Sequence, residues 1–421
     1  MAIGPVQLLR QATPGQRSTL LAAALGWMLD SFDAMLYALV LAHVMRDLSM
    51  SKATAGLLST LMLLASGIGG VLFGFLADRI GRKRSLMLSI LTYSVCSFAS
   101  GLATSIVMLA VFRFILGLGM GGEWNTGATL VAETWPGELR AKAISIVQSS
   151  WAIGYALAAL VAGIVLRYAN WRVVFFVGIL PALVTLWIQN RVPESELWRA
   201  HKLQAPDARR AGSLSNAEDS MLRLFRPPLV KCTFTLLLLN FFGMFAWWGM
   251  FTWIPPYLSL PVAQGGRGLG IIGTTALLVT LNLCGMFPGY ASFGWVADHL
   301  GRRPSFMLYT FAAACLVPLY ALARSPGMLL VAGTVTAFFG TGFFSGSGII
   351  ASEIFPTRVR ARALGLTYNG ARAMSSIAPF VIGRVGDVKG LNWAFYLCAI
   401  GFLLAGVMAT LLPETKGKVL E

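Results

Sequence analysis

The chain repeats itself at an offset of 220 residues. Gly74, Asp78, Gly81 and Arg82 return as Gly294, Asp298, Gly301 and Arg302. Glu133, Pro136 and Arg140 return as Glu353, Pro356 and Arg360, and Pro193-Glu194 as Pro413-Glu414. Trp27 and Tyr37 return as Trp247 and Tyr257. One offset threads all of these pairs, so the two halves share a length plan. Both halves are strongly apolar. Such a chain must fold twice into the same unit, and a duplicated apolar unit of this size is the mark of a membrane carrier whose site lies between similar halves.

Hydrophobic residues make up 57% of the 421, and charged residues only 12%. A soluble protein carries about a quarter charged residues, so lipid must cover most of this surface. A membrane span needs about 20 apolar residues. Charge clusters and Gly/Pro breaks divide the chain into twelve such stretches, near 19–44, 54–77, 85–104, 107–132, 141–167, 171–191, 230–258, 270–297, 305–323, 327–352, 362–384 and 391–412. The expected fold is an all-α membrane protein of twelve transmembrane helices in two pseudo-symmetric six-helix bundles. The bundles are expected over 1–191 and 230–421, joined by a linker loop over 192–229. No cleavage site follows the first apolar stretch, which reads as a retained span.

A net charge of +16 could suggest nucleic acid. The position of the charges excludes that reading, because they gather in short clusters between spans. Arg79, Arg82, Lys83 and Arg84 follow span 2, and Arg140 and Lys142 follow span 4. Arg302 and Arg303 follow span 8, and Arg360 and Arg362 follow span 10. The long loop holds Arg199, Lys202, Arg209, Arg210, Arg223 and Arg226. With this span count all of these loops share one side, which the positive-inside rule assigns to the cytoplasm together with both termini. The expectation is a multi-pass monomer in a plasma membrane or bacterial inner membrane. The five cysteines stand at no metal or redox spacing, and none of the three histidines has a ligand partner in a span. No metal or cofactor is expected.

Two loops carry a shared motif. Residues 74–83 read G-F-L-A-D-R-I-G-R-K, and residues 294–303 read G-W-V-A-D-H-L-G-R-R. An acid at a helix end, a glycine turn and a basic cluster can latch neighbouring helix ends by charge. The candidates for this latch are Gly74, Asp78, Arg82, Glu133, Arg140, Asp298, Arg302, Glu353 and Arg360. The paired loops resemble the signature of the major facilitator superfamily, and E-T-W-P-G-E-L-R and E-I-F-P-T-R-V-R resemble its boundaries after spans 4 and 10. The resemblance covers nearly the whole chain. It implies alternating access by rocking of two bundles.

Span 1 contains Asp30-Ser-Phe-Asp33, two carboxylates at i and i+3 on one helical face, with Tyr37 a turn further on. An acid at mid-membrane costs about 2.5–3.5 kcal/mol on insertion scales. Two on one helix point to a group that loads and releases a proton. Counting about 1.5 Å per residue from the outer ends places Arg113 of span 4 at the depth of Asp33. The context Arg113-Phe-Ile-Leu-Gly117 is similar to the superfamily's span-4 arginine motif, which implies pairing with a span-1 acid that protonation releases. Neither residue is duplicated, since the offset positions are Trp253 and Gly333. Glu123, deeper in span 4, reads equally as a second proton site or as a helix–helix hydrogen bond.

Arg372 stands alone near the middle of span 11, with Asn369 and Ser376 on its face. A midplane guanidinium needs an anion. A substrate carboxylate could supply it, and so could Asp30 or Glu123 across the bundle interface. Gln148, Trp151 and Tyr155 line up on span 5, Asn240 and Trp247 on span 7 beside Trp248, and Asn282 lies mid-span 8. Together they fit a half-polar, half-aromatic cavity wall.

The D-x-x-D of span 1, Arg113, G-E-W at Gly122–Trp124 and the span-11 arginine narrow the resemblance to the sialate/lactate-type and aromatic-acid-type proton symporters. This implies uptake of a small organic anion with protons. Ser31 stands where a glycine is usual in the aromatic-acid branch, and the central loop lacks the extra spans of the sialate members. An exporter would be expected to carry Gly-Pro in span 5, which this chain lacks. A membrane enzyme or sensor would leave the duplication unexplained.

Overall fold

Ser51, Ser105, Asn170 and Ser325 each stand just before a helix. Their side-chain oxygens accept the N–H groups of Thr54 (3.1 Å), Met108 (3.2 Å), Arg172 (3.1 Å) and Met328 (3.2 Å). These caps satisfy donors that the first helical turn leaves open. The computed structural model describes residues 12–196, 198–199 and 221–416. Among them run twelve membrane helices: α1 (Pro14–Asp47), α2 (Lys52–Ile80), α3 (Arg82–Gly101), α4 (Ile106–Thr134), α5 (Gly137–Tyr168), α6 (Trp171–Arg191), α7 (Leu229–Ser259), α8 (Ile271–Leu300), α9 (Arg302–Leu322), α10 (Pro326–Ile354), α11 (357–389) and α12 (Leu391–Thr410). The middle of the expected linker, with Lys202, Arg209 and Arg210, lies outside the described residues.

Ten of the twelve are long and apolar enough to cross a membrane by composition alone. The others are α3 and α11, and each has a local reason. α3 opens on Arg82-Lys83-Arg84 and carries a run of serines, and those at 85, 89, 94 and 97 are buried inside the bundle. α11 is interrupted by a π-helical turn at Gly365–Gly370 and by a break after Ser375. A second π-helical turn, Leu281–Met286, lies in α8. Such turns leave backbone groups and side chains in unusual register and recur at functional sites.

In the first half α1 packs along α5 and α2 along α4; in the second half α7 packs along α11 and α8 along α10. The outer surface is apolar, with Phe75, Val107, Ile164 and Leu186 all more than half exposed, as lipid contact requires. Charges behave in the opposite way. Among the described residues the buried Asp, Glu, Lys and Arg side chains are Asp30, Asp33, Arg113, Glu123 and Arg372. All five point into the protein, and all five are the mid-span ions that the sequence singles out.

The bundles meet through α1 with α7, α2 with α11 and α5 with α8. The hydrogen bonds that cross between them gather away from the basic loops. Asp387 at the end of α11 accepts the N–H groups of Lys52 (3.0 Å) and Ala53 (2.8 Å) at the start of α2, and Lys52 Nζ lies 3.9 Å from it. Tyr155 donates to the Phe251 carbonyl at 3.1 Å. The backbones also touch. A Cβ on Gly56 would fall 2.2 Å from the Pro379 oxygen, and one on Gly383 would fall 2.4 Å from the Lys52 oxygen. The molecule is therefore sealed at the end opposite its basic loops.

This closure is testable. Gly56→Val should force α2 from α11, and Asp387→Ala should weaken the seal by about 0.5–2 kcal/mol, the usual worth of a helix cap. Spin labels at the exposed positions Thr104 and Arg324 should then show an added, longer distance population. An unchanged distance distribution in both variants would remove this contact from the seal.

Candidate functional site

Between the bundles lies a small cavity. The first half contributes Trp27, Gln148 and Trp151, and the second contributes Met244, Trp247, Trp248, Tyr290, Phe344, Tyr368 and Arg372. The tryptophans touch in series. Trp27 lies 4.6 Å from Trp124 and 4.8 Å from Trp151, and Trp151 meets Trp248 edge-on at 5.9 Å. Trp124 stacks on Tyr368 across the interface at 6.2 Å. Gln148 sits against Tyr368.

Arg372 occupies the polar end of this wall. Its guanidinium carbon lies 6.0 Å from the Trp27 ring and 5.9 Å from the Trp248 ring, so one indole from each bundle flanks it. Cation–π attraction holds it there. Its Nε and Nη2 have no protein hydrogen-bond partner. Asp30 and Glu123 both lie within electrostatic reach of it, and their carboxylate oxygens are likewise unpartnered. Glu123 packs on the backbone of α1, where a Cβ on Gly26 would fall 2.4 Å from its Oε1. Only glycine at 26 lets that carboxylate lie so close.

Asp33 lies deeper inside the first bundle. Its Oδ1 accepts the Ser97 hydroxyl at 2.9 Å, and the backbone of Gly178 covers the pair, since a Cβ there would fall 2.6 Å from Oδ1. The expected Asp33–Arg113 ion pair is not formed in this conformation. Arg113 instead stacks on Tyr37 at 4.7 Å and turns Nη2 to the Met62 sulfur at 2.7 Å. Ser97 takes one carboxylate oxygen of Asp33 only; Oδ2 has no hydrogen-bond partner, and Asp33 stays within electrostatic reach of Arg113.

Other expected cavity residues serve elsewhere. Tyr37 donates to the Ala55 carbonyl at 3.0 Å beside Arg113, and Tyr155 bridges the bundles at the sealed end. Asn240 donates to the Thr367 carbonyl at 3.0 Å and accepts from Ser347, which ties α7 to α10 and α11. Asn282 bonds its own helix at Leu278 (2.8 Å). Asn369 falls within the π-helical turn of α11, whose altered register brings Tyr368, not Asn369, to the cavity beside Arg372. The sequence reading missed Trp27, Trp124, Tyr290, Phe344, Tyr368 and Ser97 as site residues. Trp27 at i−3 from Asp30 was recoverable from helical spacing. Ser97 required the tertiary structure.

The two motif loops fold alike. Arg82 binds Asp78 at 2.7 Å, Glu133 at 3.1 Å and the Ala77 carbonyl at 2.9 Å. Arg302 binds Asp298 at 2.9 Å, Glu353 at 2.9 Å and the Ala297 carbonyl at 3.1 Å. Gly81 and Gly301 carry φ of 106° and 105°, where side chains are strained, and Glu194 and Glu414 fill the space a Cβ would need. Burial alone would raise the Glu414 carboxyl, but the N–H groups of Arg302, Lys416, Arg303 and Thr415 outweigh it and hold it below the usual carboxylate range. Arg360 donates to the Phe355 carbonyl at 3.2 Å, and Arg140 is exposed. A Cβ on Gly74 would meet nothing within 4 Å, so close packing does not explain that glycine.

Two matching helical bundles around one buried, ion-bearing cavity define a membrane carrier of small molecules. A family model for the Major Facilitator Superfamily matches residues 23–273 and 266–420, and the chain belongs to that family. It is a secondary transporter and not an enzyme. It is 32% identical to a probable 4-methylmuconolactone transporter of Cupriavidus pinatubonensis, over 98% of this chain and 94% of that one. It is 31% identical to the sialic acid transporter NanX of Escherichia coli, over 93% of each. A solved D-xylose-proton symporter superposes with a TM-score of 0.73 at 22% identity, covering 96% of this chain and 99% of that one, and shares the fold.

Removing Arg82 would leave Glu133 and Asp78 without their cation. Arg82→Ala should lower stability by about 1–3 kcal/mol, read as a drop in thermal midpoint of the detergent-purified protein, whereas Arg140→Ala should leave it unchanged. Equal midpoints for the two variants would strip the first latch of any structural weight.

Proposed function

We propose that this protein is a proton-coupled symporter that imports a small organic acid, with Arg372 as the carboxylate anchor. The basic loops and both termini face the cytoplasm. The sealed end then faces outward, and the cavity is poised to open inward.

One observation carries the reading, namely the charge balance of the buried groups. Three acids (Asp30, Asp33, Glu123) and two arginines (Arg113, Arg372) are buried within the protein. Fully ionised, they sum to −1. A bound carboxylate takes the sum to −2, which a low-dielectric site holds only at high cost. Protons entering with the anion restore the balance. Asp30 and Glu123 compete with the cargo for Arg372, so a proton on either hands the guanidinium to the carboxylate. Once the charges are matched, the bundles can part from one side and close on the other. The names of the relatives support the same class, since one is a sialic acid transporter.

Uptake of labelled organic acids into proteoliposomes tests this. An inside-alkaline gradient should drive accumulation, and Asp33→Asn should abolish it. Arg372→Ala should weaken binding of the acid by about 2–5 kcal/mol, the usual penalty for truncating one partner of a buried charged contact. Accumulation that is indifferent to a collapsed gradient would reject coupling. Binding of a neutral sugar or a cation with no response to any acid would reject the carboxylate reading.

A further inference from the structure

α3 holds a row of hydroxyls, and most of them are spent on backbone. Thr92 donates to the Leu88 carbonyl at 2.8 Å, Ser100 to the Cys96 carbonyl at 2.8 Å and Ser89 to the Gly119 carbonyl of α4 at 2.7 Å. A hydroxyl inside a helix commonly turns back on its own carbonyls in this way. Ser97 does not. It crosses to α1 and donates to Asp33 Oδ1 at 2.9 Å, and both residues are fully buried. A break in α6 covers the contact. The N–H groups of Gly178 (2.9 Å), Ile179 (3.3 Å) and Leu180 (3.0 Å) bond three residues back, and Pro181 has no N–H to give. A Cβ on Gly178 would fall 2.0 Å from Ser97 Oγ and 2.6 Å from Asp33 Oδ1. Its φ of −62° is ordinary, so close approach is what requires glycine there.

Few other groups act on this carboxylate. Asp30 on α1, Tyr93 on α3 and Arg113 on α4 lie within electrostatic reach. α2, α5, α6 and α7 also pack on α1, and they carry their charged side chains near their ends. Among the described residues Ser97 is the hydrogen-bond donor to Asp33, and Oδ2 has no partner. Like Asp33 and Arg113, Ser97 is not duplicated, since its offset position is Val317. We infer that Ser97 is a positioning residue for the coupling proton. It holds Oδ1, so that Oδ2 is the oxygen that takes up and gives back the proton. A donor to a carboxylate favours the ionised form, so the same hydroxyl sets the pH at which Asp33 loads. The proton comes from water on one side of the membrane and returns to water on the other; one O–H bond forms at Oδ2 and later breaks, and Ser97 keeps its own proton throughout. This deepens the proposed function and rests on Asp33 as its proton carrier.

Infrared difference titration of the full-length protein in lipid tests this without any cargo. The signal followed is the protonated-carboxyl band that Asp33→Asn removes. Ser97→Ala takes a donor from the ionised form, so Asp33 should keep its proton to higher pH and the midpoint of the band should rise by about one pH unit. The C=O stretch should also move to higher frequency, because Oδ1 loses its hydrogen bond. Ser97→Cys matches the size but donates weakly. It should shift the midpoint the same way by less, and it serves if the first variant does not fold. Ser100→Ala deletes a hydroxyl that bonds its own helix and should shift neither quantity. A titrating band whose midpoint is unchanged or lowered in the Ser97 variants overturns the inference while leaving Asp33 as the proton carrier. An equal rise in Ser100→Ala overturns it too, since any hydroxyl lost from α3 would then suffice. If Asp33→Asn removes no band, Asp33 carries no proton, and this inference falls with that part of the proposed function.

Discussion

A guanidinium surrounded by hydrocarbon has to be compensated, and the compensation of Arg372 organises the centre of this protein. Apart from Trp248 of its own half, the compensating groups come from the opposite bundle. Trp27, Asp30 and Glu123 all belong to the first half, whereas Arg372 belongs to the second. Attraction between the halves at mid-membrane is therefore electrostatic, and it depends on how many protons the acids carry. At the sealed end the halves are held by backbone packing and by the cap that Asp387 places on α2. The first kind of contact is electrostatic and varies with the charge the buried groups carry. The second resists until it breaks.

Each half has its own internal brace. Arg82 ties α2, α3 and α4 together, and Arg302 does the same for α8, α9 and α10, with nearly superimposable sets of partners. These braces lie within a half and not across the interface. They keep the ends of each bundle in register while the interface between bundles is free to change. Duplication has preserved the brace in both copies but each buried ion in only one: the positions matching Asp33 and Arg113 are Trp253 and Gly333. Asymmetry of chemistry has been laid over symmetry of support.

Much of this was legible in the sequence because hydrocarbon makes ions conspicuous. Asp30, Asp33, Arg113, Glu123 and Arg372 stand out from apolar spans, and burial of all five follows from the cost of exposing them to lipid. The latch residues were legible because they occur twice. The aromatic wall was harder. Tryptophans in spans usually pack, and helical phase alone does not separate Trp151, which lines the cavity, from Tyr155, which bridges the bundles one turn away. Asn369 was misplaced because a π-helical turn shifts the phase of α11, and no regular count anticipates that. The partner of Asp33 was hidden for another reason. Depth along the membrane matched it to Arg113, but depth says nothing about which side of α1 a neighbour approaches, and Ser97 arrives from α3.

The indoles of Trp27, Trp151 and Trp247 are buried with their N–H groups unengaged by protein. That has a bearing on how discriminating the chamber can be. A donor already stripped of its surroundings gains from any oxygen brought to it and loses little in return. Three such donors around an apolar pocket favour an oxygen-bearing molecule over a hydrocarbon of equal size. Selectivity then begins with the rings themselves.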